Sequence, residues 1–259
     1  SLSGTAGDDV MLAGAGNNTV HGNGGNDVLS GGAGNNNFYG DAGNDLLFSG
    51  PGNDLLDGGT GIDTASYAHA TTGVTVTLGQ VATQTGAGID TLVSIENLIG
   101  SNYNDTLIGD TGANVINGGL GNDTLIGGLG NDTLIGGAGS DTFLWRQGDV
   151  GRDTVADFKP GTDKLDLSQL LQGESATSAS LDDFLHFKVT GTGASLVTTI
   201  DISAVAGSAP VQTIDLAGVN LATHYGVTPG AGGIISGGAD TATIINGMLN
   251  DHSLKVDTV

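Results

Sequence analysis

Cysteine is absent from all 259 residues, so disulfides cannot hold this chain together. Aromatic residues are scarce, at 4%, and no apolar run approaches the roughly 18 residues that a bilayer span needs; neither a transmembrane helix nor direct membrane insertion is expected. Basic residues are few as well. Six Lys and Arg stand against 28 Asp and Glu, for a formal net charge of -22, and all six (Arg146, Arg152, Lys159, Lys164, Lys188, Lys255) follow Trp145. Residues 1–145 therefore carry acid and no Lys or Arg, which argues against nucleic acid and anionic membranes as partners and in favour of cations. No secretory leader is visible at Ser1 and the chain opens in mid-repeat, so an N-terminal part ahead of it is expected. What is abundant is glycine, 48 residues, ordered by a period rather than scattered as in low-complexity disorder.

The period is nine. From Gly118 to Leu144 the sequence GGLGNDTLIGGLGNDTLIGGAGSDTFL holds three uninterrupted copies of Gly-Gly-x-Gly-x-Asp-x-U-x, with U a large apolar residue. Glycine allows backbone angles closed to residues with a Cβ, so each copy can turn tightly and aim its carbonyls inward. Aspartate at the sixth place adds a hard anionic oxygen, the donor type that Ca²⁺ selects. The closing triplet is β-prone and sends only its middle side chain inward. A first array has sixth places at Asp9, Asn18, Asp27, Asn36, Asp45, Asp54 and Asp63, with fourth-place glycines Gly7, Gly16, Gly25, Gly34, Gly43, Gly52 and Gly61. Its eighth places, Met11, Val20, Leu29, Phe38, Leu47, Leu56 and Ala65, are all apolar. A second array has Asp105, Asn114, Asp123, Asp132 and Asp141 at the sixth place, Gly112, Gly121, Gly130 and Gly139 at the fourth, and Leu107, Ile116, Leu125, Leu134 and Phe143 at the eighth. A charge-rich region is ordinarily a solvated face. Two registers kept in step over so many copies point to metal instead.

These repeats resemble the nonapeptides of RTX proteins. The resemblance implies an all-β fold, a parallel β-roll that is a Ca²⁺-bound β-solenoid with two repeats per coil, so that residues 18 apart stack on one edge at about 4.8 Å. Asp9, Asp27, Asp45 and Asp63 then form one ladder, and Asn18, Asn36 and Asp54 the other. Ca²⁺ affinity rises with the count of anionic ligands, which predicts tighter sites on the first. In the second array Asp105, Asp123 and Asp141 share one edge, Asn114 and Asp132 the other. Asp63 and Asp105 are 105 − 63 = 42 apart, not a multiple of nine. Two rolls separate in register are therefore expected at 1–66 and 100–144, with stacking through a bridging β segment at 67–99 left open, followed at 145–259 by a β-rich capping and secretion region.

In the bridge, Val74, Val76 and Leu78 alternate with threonines, as in a half-buried strand. Thr85 to Val93, TGAGIDTLV, is one orphan repeat; its Asp90 is a candidate ligand with no stacked partner 18 residues away. Glu96 reads as a turn residue and His69 as an exposed loop residue. Phe143 and Trp145 are expected to cap the roll, because solenoid ends must be covered. Beyond them GDVGRDTVA and PGTDKLDL are decayed copies, and Asp153, Asp157, Asp163 and Asp166 are open to two interpretations, a peripheral Ca²⁺ site or turn caps. LDDFL reads as a short helix from Leu181, strands are expected at 186–189, 196–202 and 211–216, and a final helix at 241–249.

Two flanking segments sharpen the resemblance. RDTVADFKPGTDKLDLSQLL is similar to the segment that closes the repeats in proteins exported by type I secretion, ahead of an uncleaved C-terminal signal. TASYAHATTGVTVTL and DTLVSIENLIGSNYNDTLIGD resemble segments that interrupt the repeats in very large RTX adhesins of biofilm-forming bacteria. Together they imply a calcium-dependent folding and export module at the C-terminus of a secreted or surface-held adhesin, with several Ca²⁺ ions as cofactor and the type I secretion machinery as partner. The alternative is the stabilising tail of an RTX protease, lipase or epimerase. The chain contains no HExxH, no GxSxG and no Gly-rich loop followed by Lys-Ser/Thr, so it is not expected to be an enzyme itself. Asn recurs at the fifth place, but the third place of the first array lacks threonine except at Thr60, which argues against an ice-binding array.

Overall fold

The computed structural model describes every residue except 81–82, 86–87, 172–176, 204–206, 236–237 and 258–259. Gly86 of the expected orphan repeat and the last two residues of the expected secretion signal thus lie outside the described residues. The chain divides into two compact units, Ser1–Thr124 and Leu125–Val259. The expected first roll and bridge both fall in the first unit, and the second array is shared between the two.

In the first unit, three-residue strands recur every nine residues at Val10–Leu12, Thr19–His21, Val28–Ser30, Asn37–Tyr39, Leu46–Phe48, Leu55–Asp57 and Thr64–Ser66. Each pairs in parallel with the strand two repeats on: Leu29 is opposite Met11 and Leu47, and Phe38 is opposite Val20 and Leu56. Two repeats therefore make one coil, closed by two glycine-rich turns. The eighth-place side chains enclosed between the two sheets, Val20, Leu29, Phe38, Leu47, Leu56 and Ala65, are fully buried. The core is one side chain thick at each level, because a triplet can turn only its middle residue inward.

The register break after Asp63 is absorbed by added coils. Leu55–Asp57 is followed in its sheet by the strand Gly88–Val93, with Leu92 opposite Leu56. Thr64–Ser66 is followed by Asn97–Ile99, with Leu98 opposite Ala65, and that strand pairs with Val115–Leu120, Leu98 opposite Ile116. The register breaks as expected, and within this unit the start of the second array is joined to the first through one parallel sheet, with 97–99 as the linking rung. Thr75–Thr77, the strand expected from its alternation, pairs with Thr106–Ile108.

The second unit starts on the same plan. Thr133–Ala138 pairs with Gly151–Val155, and Thr142–Leu144 with Lys164–Asp166, which in turn pairs with Leu254–Lys255. Phe143 does not end the stack, although its bulk led to the expectation that it would; Leu165 and Leu254 lie beyond it in the same sheet, and all three are buried. Gly151–Val155 also pairs with Gln212–Ala217, from which an antiparallel ribbon runs through Val197–Ile202 to Leu185–Thr190. LDDFL is not a helix: Leu181 closes the short helix Ser178–Leu181 and Leu185 opens a strand. The final helix, Gly238–Asn250, buries Thr241, Ile244, Ile245 and Met248, an i, i+3, i+4, i+7 stripe.

Candidate metal centre

Every sixth-place side chain is set by the turn before it and the coil after it. Along one edge the backbone N–H of Asp9, Asp27 and Asp45 donates to Oδ1 of Asp27, Asp45 and Asp63 at 2.8, 2.7 and 2.7 Å. Asp63 N–H donates to Glu96 Oε2 at 2.8 Å, so Glu96 continues this ladder rather than serving a turn. Along the other edge Asn18 N–H donates to Asn36 Oδ1 at 3.1 Å, Asn36 to Asp54 Oδ1 at 2.7 Å, and Asp54 to Asp90 Oδ1 at 2.9 Å. Asp90 therefore has a stacked partner after all, 36 residues back, because the bridge supplies one whole additional half-coil. In the second array Asp105 Oδ1 accepts from Val74 N–H and Asp123 Oδ1 from Asp105 N–H, both at 2.8 Å.

One carboxylate oxygen per level is thus used on the backbone. The other decides whether a cation fits. Asp27, Asp45 and Asp63 are at most 2% exposed, and the Oδ2 of each is buried with no hydrogen-bond donor. Each faces the open side of the first-place glycine of its own repeat. A Cβ on Gly22 would meet Asp27 Oδ2, and Gly40 O at 2.7 Å; one on Gly40 would meet Asp45 Oδ2, and Gly58 O at 2.5 Å; one on Gly58 would meet Asp63 Oδ2 at 2.5 Å, and Ser94 O. A carboxylate oxygen and a main-chain carbonyl from the next coil therefore converge on a space that only glycine leaves open. Among the described residues no three His, Cys, Asp or Glu side chains cluster, so any cation here takes backbone oxygens as well, the all-oxygen donor set of Ca²⁺. An anionic oxygen buried without a partner is costly, and a divalent ion would remove that cost. Asp27, Asp45 and Asp63, with the carbonyls of Gly40, Gly58 and Ser94, fit calcium and would hold it. The ion would supply the charge that lets these coils close.

Electrostatics agree. Burial raises the Asp63 carboxyl to about 6, only partly offset by the Asp45 N–H, and the charges of Asp45, Glu96 and Asp57 push the same way. Asp45 is raised chiefly by burial, again with neighbouring charge from Asp27 and Asp41.

The remaining candidates are placed differently. Asp9, in the first coil, has its Oδ2 taken by Thr5 N–H and Oγ1 at 2.6 and 2.9 Å. Ser101 donates its N–H to Asp105 Oδ2 at 2.6 Å and its hydroxyl to Oδ1 at 2.7 Å. Asn114 Oδ1 accepts from Asp110 N–H at 2.9 Å and its Nδ2 donates to Glu96 O at 2.7 Å. In the second unit, a Cβ on Gly127 or Gly136 would run into the carboxyl of Asp132 or Asp141, the same glycine cradle as in the first unit. Asp132 N–H donates to Asp153 Oδ1 at 2.9 Å, and Asp153 Oδ2 accepts from Trp145 Nε1 and Gln212 Nε2, both at 2.7 Å. Asp157 accepts from the N–H groups of Gly136 and Gly137 at 2.9 and 2.7 Å. Asp163 accepts from Asp141 N–H at 3.1 Å and Lys159 N–H at 2.8 Å. These three carboxylates are engaged by protein donors, as turn and ladder caps are.

Of the fourth-place glycines, Gly16, Gly25, Gly34, Gly43, Gly52, Gly61, Gly121, Gly130 and Gly139 have positive φ, while Gly7 and Gly112 do not. At Gly43 (φ 138) a Cβ would strike the carbonyl of Gly25 in the preceding coil. The role of the fifth place was not visible in the repeat. Asn17 and Asn35 Oδ1 accept from Asn35 and Asn53 N–H at 2.9 and 3.0 Å, and Asn26 and Asn44 Oδ1 from Asn44 and Ile62 N–H at 2.8 and 2.9 Å. Its asparagines are a second ladder that serves the backbone. Glu96 did carry a signal: it precedes the triplet Asn97–Ile99 as each aspartate precedes its own.

Fold and site together define a parallel β-roll whose turns present buried carboxylates to inward-facing carbonyls. The profile of the RTX calcium-binding nonapeptide repeat matches the chain four times, at residues 3–38, 30–65, 99–134 and 118–144. No curated protein matches the chain. Among solved structures it is similar to the extracellular lipase LipA from Serratia marcescens (21% identity over 84% of this chain and 37% of the lipase chain, TM-score 0.26). It is also similar to the AlgE6R3 subunit of the Azotobacter vinelandii mannuronan C5-epimerase (18% identity over 83% of this chain and 73% of that one, TM-score 0.20). The chain spans little more than a third of the lipase.

Proposed function

We propose that this chain is the calcium-dependent folding and export module of a type I-secreted adhesin, unfolded where Ca²⁺ is scarce and folding where it is abundant. The observation that carries it is the column of buried, donorless Oδ2 atoms on Asp27, Asp45 and Asp63. Carboxylates on successive coils at the strand spacing of about 4.8 Å repel by about 3 to 4 kcal/mol at an effective dielectric near 20. A few such pairs rival the roughly 5–15 kcal/mol of a whole domain. A core one side chain thick does not offset that, so metal binding and folding become one event. Extracellular sites with dissociation constants of about 10⁻⁴ to 10⁻³ M would hold folding back until the chain leaves the exporter. In this proposal the C-terminal unit carries the signal read by the type I machinery, leaves first, folds first and hinders backsliding. The adhesin context is supported by the segments around Thr64–Leu78 and Asp90–Asp110. The chain itself performs no catalysis, and it binds neither nucleic acid nor membrane.

Far-UV circular dichroism of the full chain tests the central claim. Addition of Ca²⁺, but not of equimolar Mg²⁺, should convert coil to β. A chain already β-rich in EDTA at neutral pH would refute it.

A further inference from the structure

The two turn rows of the first array are built differently. On the row of Asp27, Asp45 and Asp63 the first place is always glycine (Gly22, Gly40, Gly58), the cradle is open and each Oδ2 is without a donor. On the row of Asn18, Asn36 and Asp54 the protein fills the same space. Asn18 Nδ2 donates to Gly14 O at 3.2 Å, Gly16 O at 2.8 Å and Asn36 Oδ1 at 3.2 Å. Asn36 Nδ2 repeats this one coil on, to Gly32 O at 3.2 Å, Gly34 O at 3.0 Å and Asp54 Oδ1 at 3.2 Å. At the next level the first-place residue is Ser49 instead of glycine. Its hydroxyl lies 2.7 Å from Asp90 Oδ2 and 3.4 Å from Asp54 Oδ2, and Gly50 N–H adds a donor to Asp54 Oδ2 at 3.2 Å.

An amide NH₂ directs hydrogens at those carbonyls and has no lone pair to offer an ion. It does for the turn what a cation would do, and it occupies the place where a cation would sit. We propose that the first array takes up calcium along one edge only: the Asp27–Asp45–Asp63 row holds the ions, and the Asn18–Asn36–Asp54–Asp90 row is closed by its own amides and the Ser49 hydroxyl. This rests on the calcium-dependent folding proposed above and goes further, since a lower count of anionic ligands would merely weaken the second row, whereas internal donors remove it as a calcium site.

The test counts bound calcium on the full chain by equilibrium dialysis, with anomalous diffraction from crystals of the unaltered protein grown in calcium as a measurement that needs no variant. Asp45→Asn should lower the count by about one ion and raise the calcium midpoint of folding several-fold. Asn36→Ala should leave the count unchanged while lowering the melting temperature. Anomalous peaks should fall on the aspartate row of the first array and be missing from the other. Peaks along both rows, or an ion lost with Asn36→Ala as with Asp45→Asn, would overturn the one-edge assignment and leave calcium-dependent folding standing. No calcium uptake by the unaltered chain would overturn both.

Discussion

Acidification should stabilise the metal-free roll, the reverse of what ordinary carboxylates do. Burial holds the Asp63 carboxyl at about 6 against a usual 3.8, with the Asp45, Glu96 and Asp57 charges adding to it. Between those two values the folded chain binds a proton that the unfolded chain releases, so stability falls as pH rises and is recovered as pH falls through about 6 toward 3.8. A gap of about two pH units at 1.36 kcal/mol each is roughly 3 kcal/mol, a large share of a domain's net stability of about 5–15 kcal/mol. Asp45 and Asp54, also raised by burial, act in the same direction. Calcium reverses the sign: protons then compete with the ion, and apparent affinity declines as pH drops below about 6. Far-UV spectra and melting curves taken from about pH 7.5 to about pH 5, in EDTA and in saturating Ca²⁺, separate the two regimes. The EDTA series should gain β-structure or melting temperature on acidification, and Asp63→Asn should remove a large part of that gain. A metal-free chain that gains neither β-structure nor melting temperature over the same interval would refute this.

Two further perturbations address the packing. Gly43→Ala combines a φ of 138° with a Cβ driven into the Gly25 carbonyl, and should cost roughly 2–5 kcal/mol in urea denaturation of the calcium-loaded protein. Gly148→Ala, at φ 94° with nothing within 4 Å, should cost clearly less; equal costs would remove the case for coil-to-coil contact at the fourth place. Trp145→Phe deletes the indole N–H that donates to buried Asp153 Oδ2, leaving Gln212 Nε2 as its side-chain donor, and should cost about 1–3 kcal/mol with no change in the number of calcium ions bound. A lost ion would place Asp153 among the ligands.

Much of the roll was legible because a nine-residue period repeats the same local conformation. The triplet strands, their single inward residues from Val20 to Ala65, and the edge that carries Asp27, Asp45 and Asp63 all follow from where glycine, aspartate and the apolar residue recur. The 42-residue offset between Asp63 and Asp105 showed that the register breaks but not how the bridge stacks, which is settled by strand 97–99 pairing with Thr64–Ser66 on one side and Val115–Leu120 on the other. Phe143 misled, because bulk at a repeat's end does not say whether Leu165 and Leu254 will stack beyond it.

By itself the sequence determined the period, the short strands, the stacked core and the chemistry of the acidic row, all of which depend on residues within one or two repeats of each other. Only the tertiary structure decided that Asp90 stacks 36 residues from Asp54, that Glu96 continues the aspartate ladder, and that Trp145 and Gln212 take up Asp153. It also decided that the amides of Asn18 and Asn36 close one row of turns which the aspartates of the other leave open. The physical reason is that a hydrogen-bond acceptor's state depends on what the neighbouring coil brings to it. Which segments become neighbouring coils is settled by sheet pairing across insertions, not by spacing along the chain.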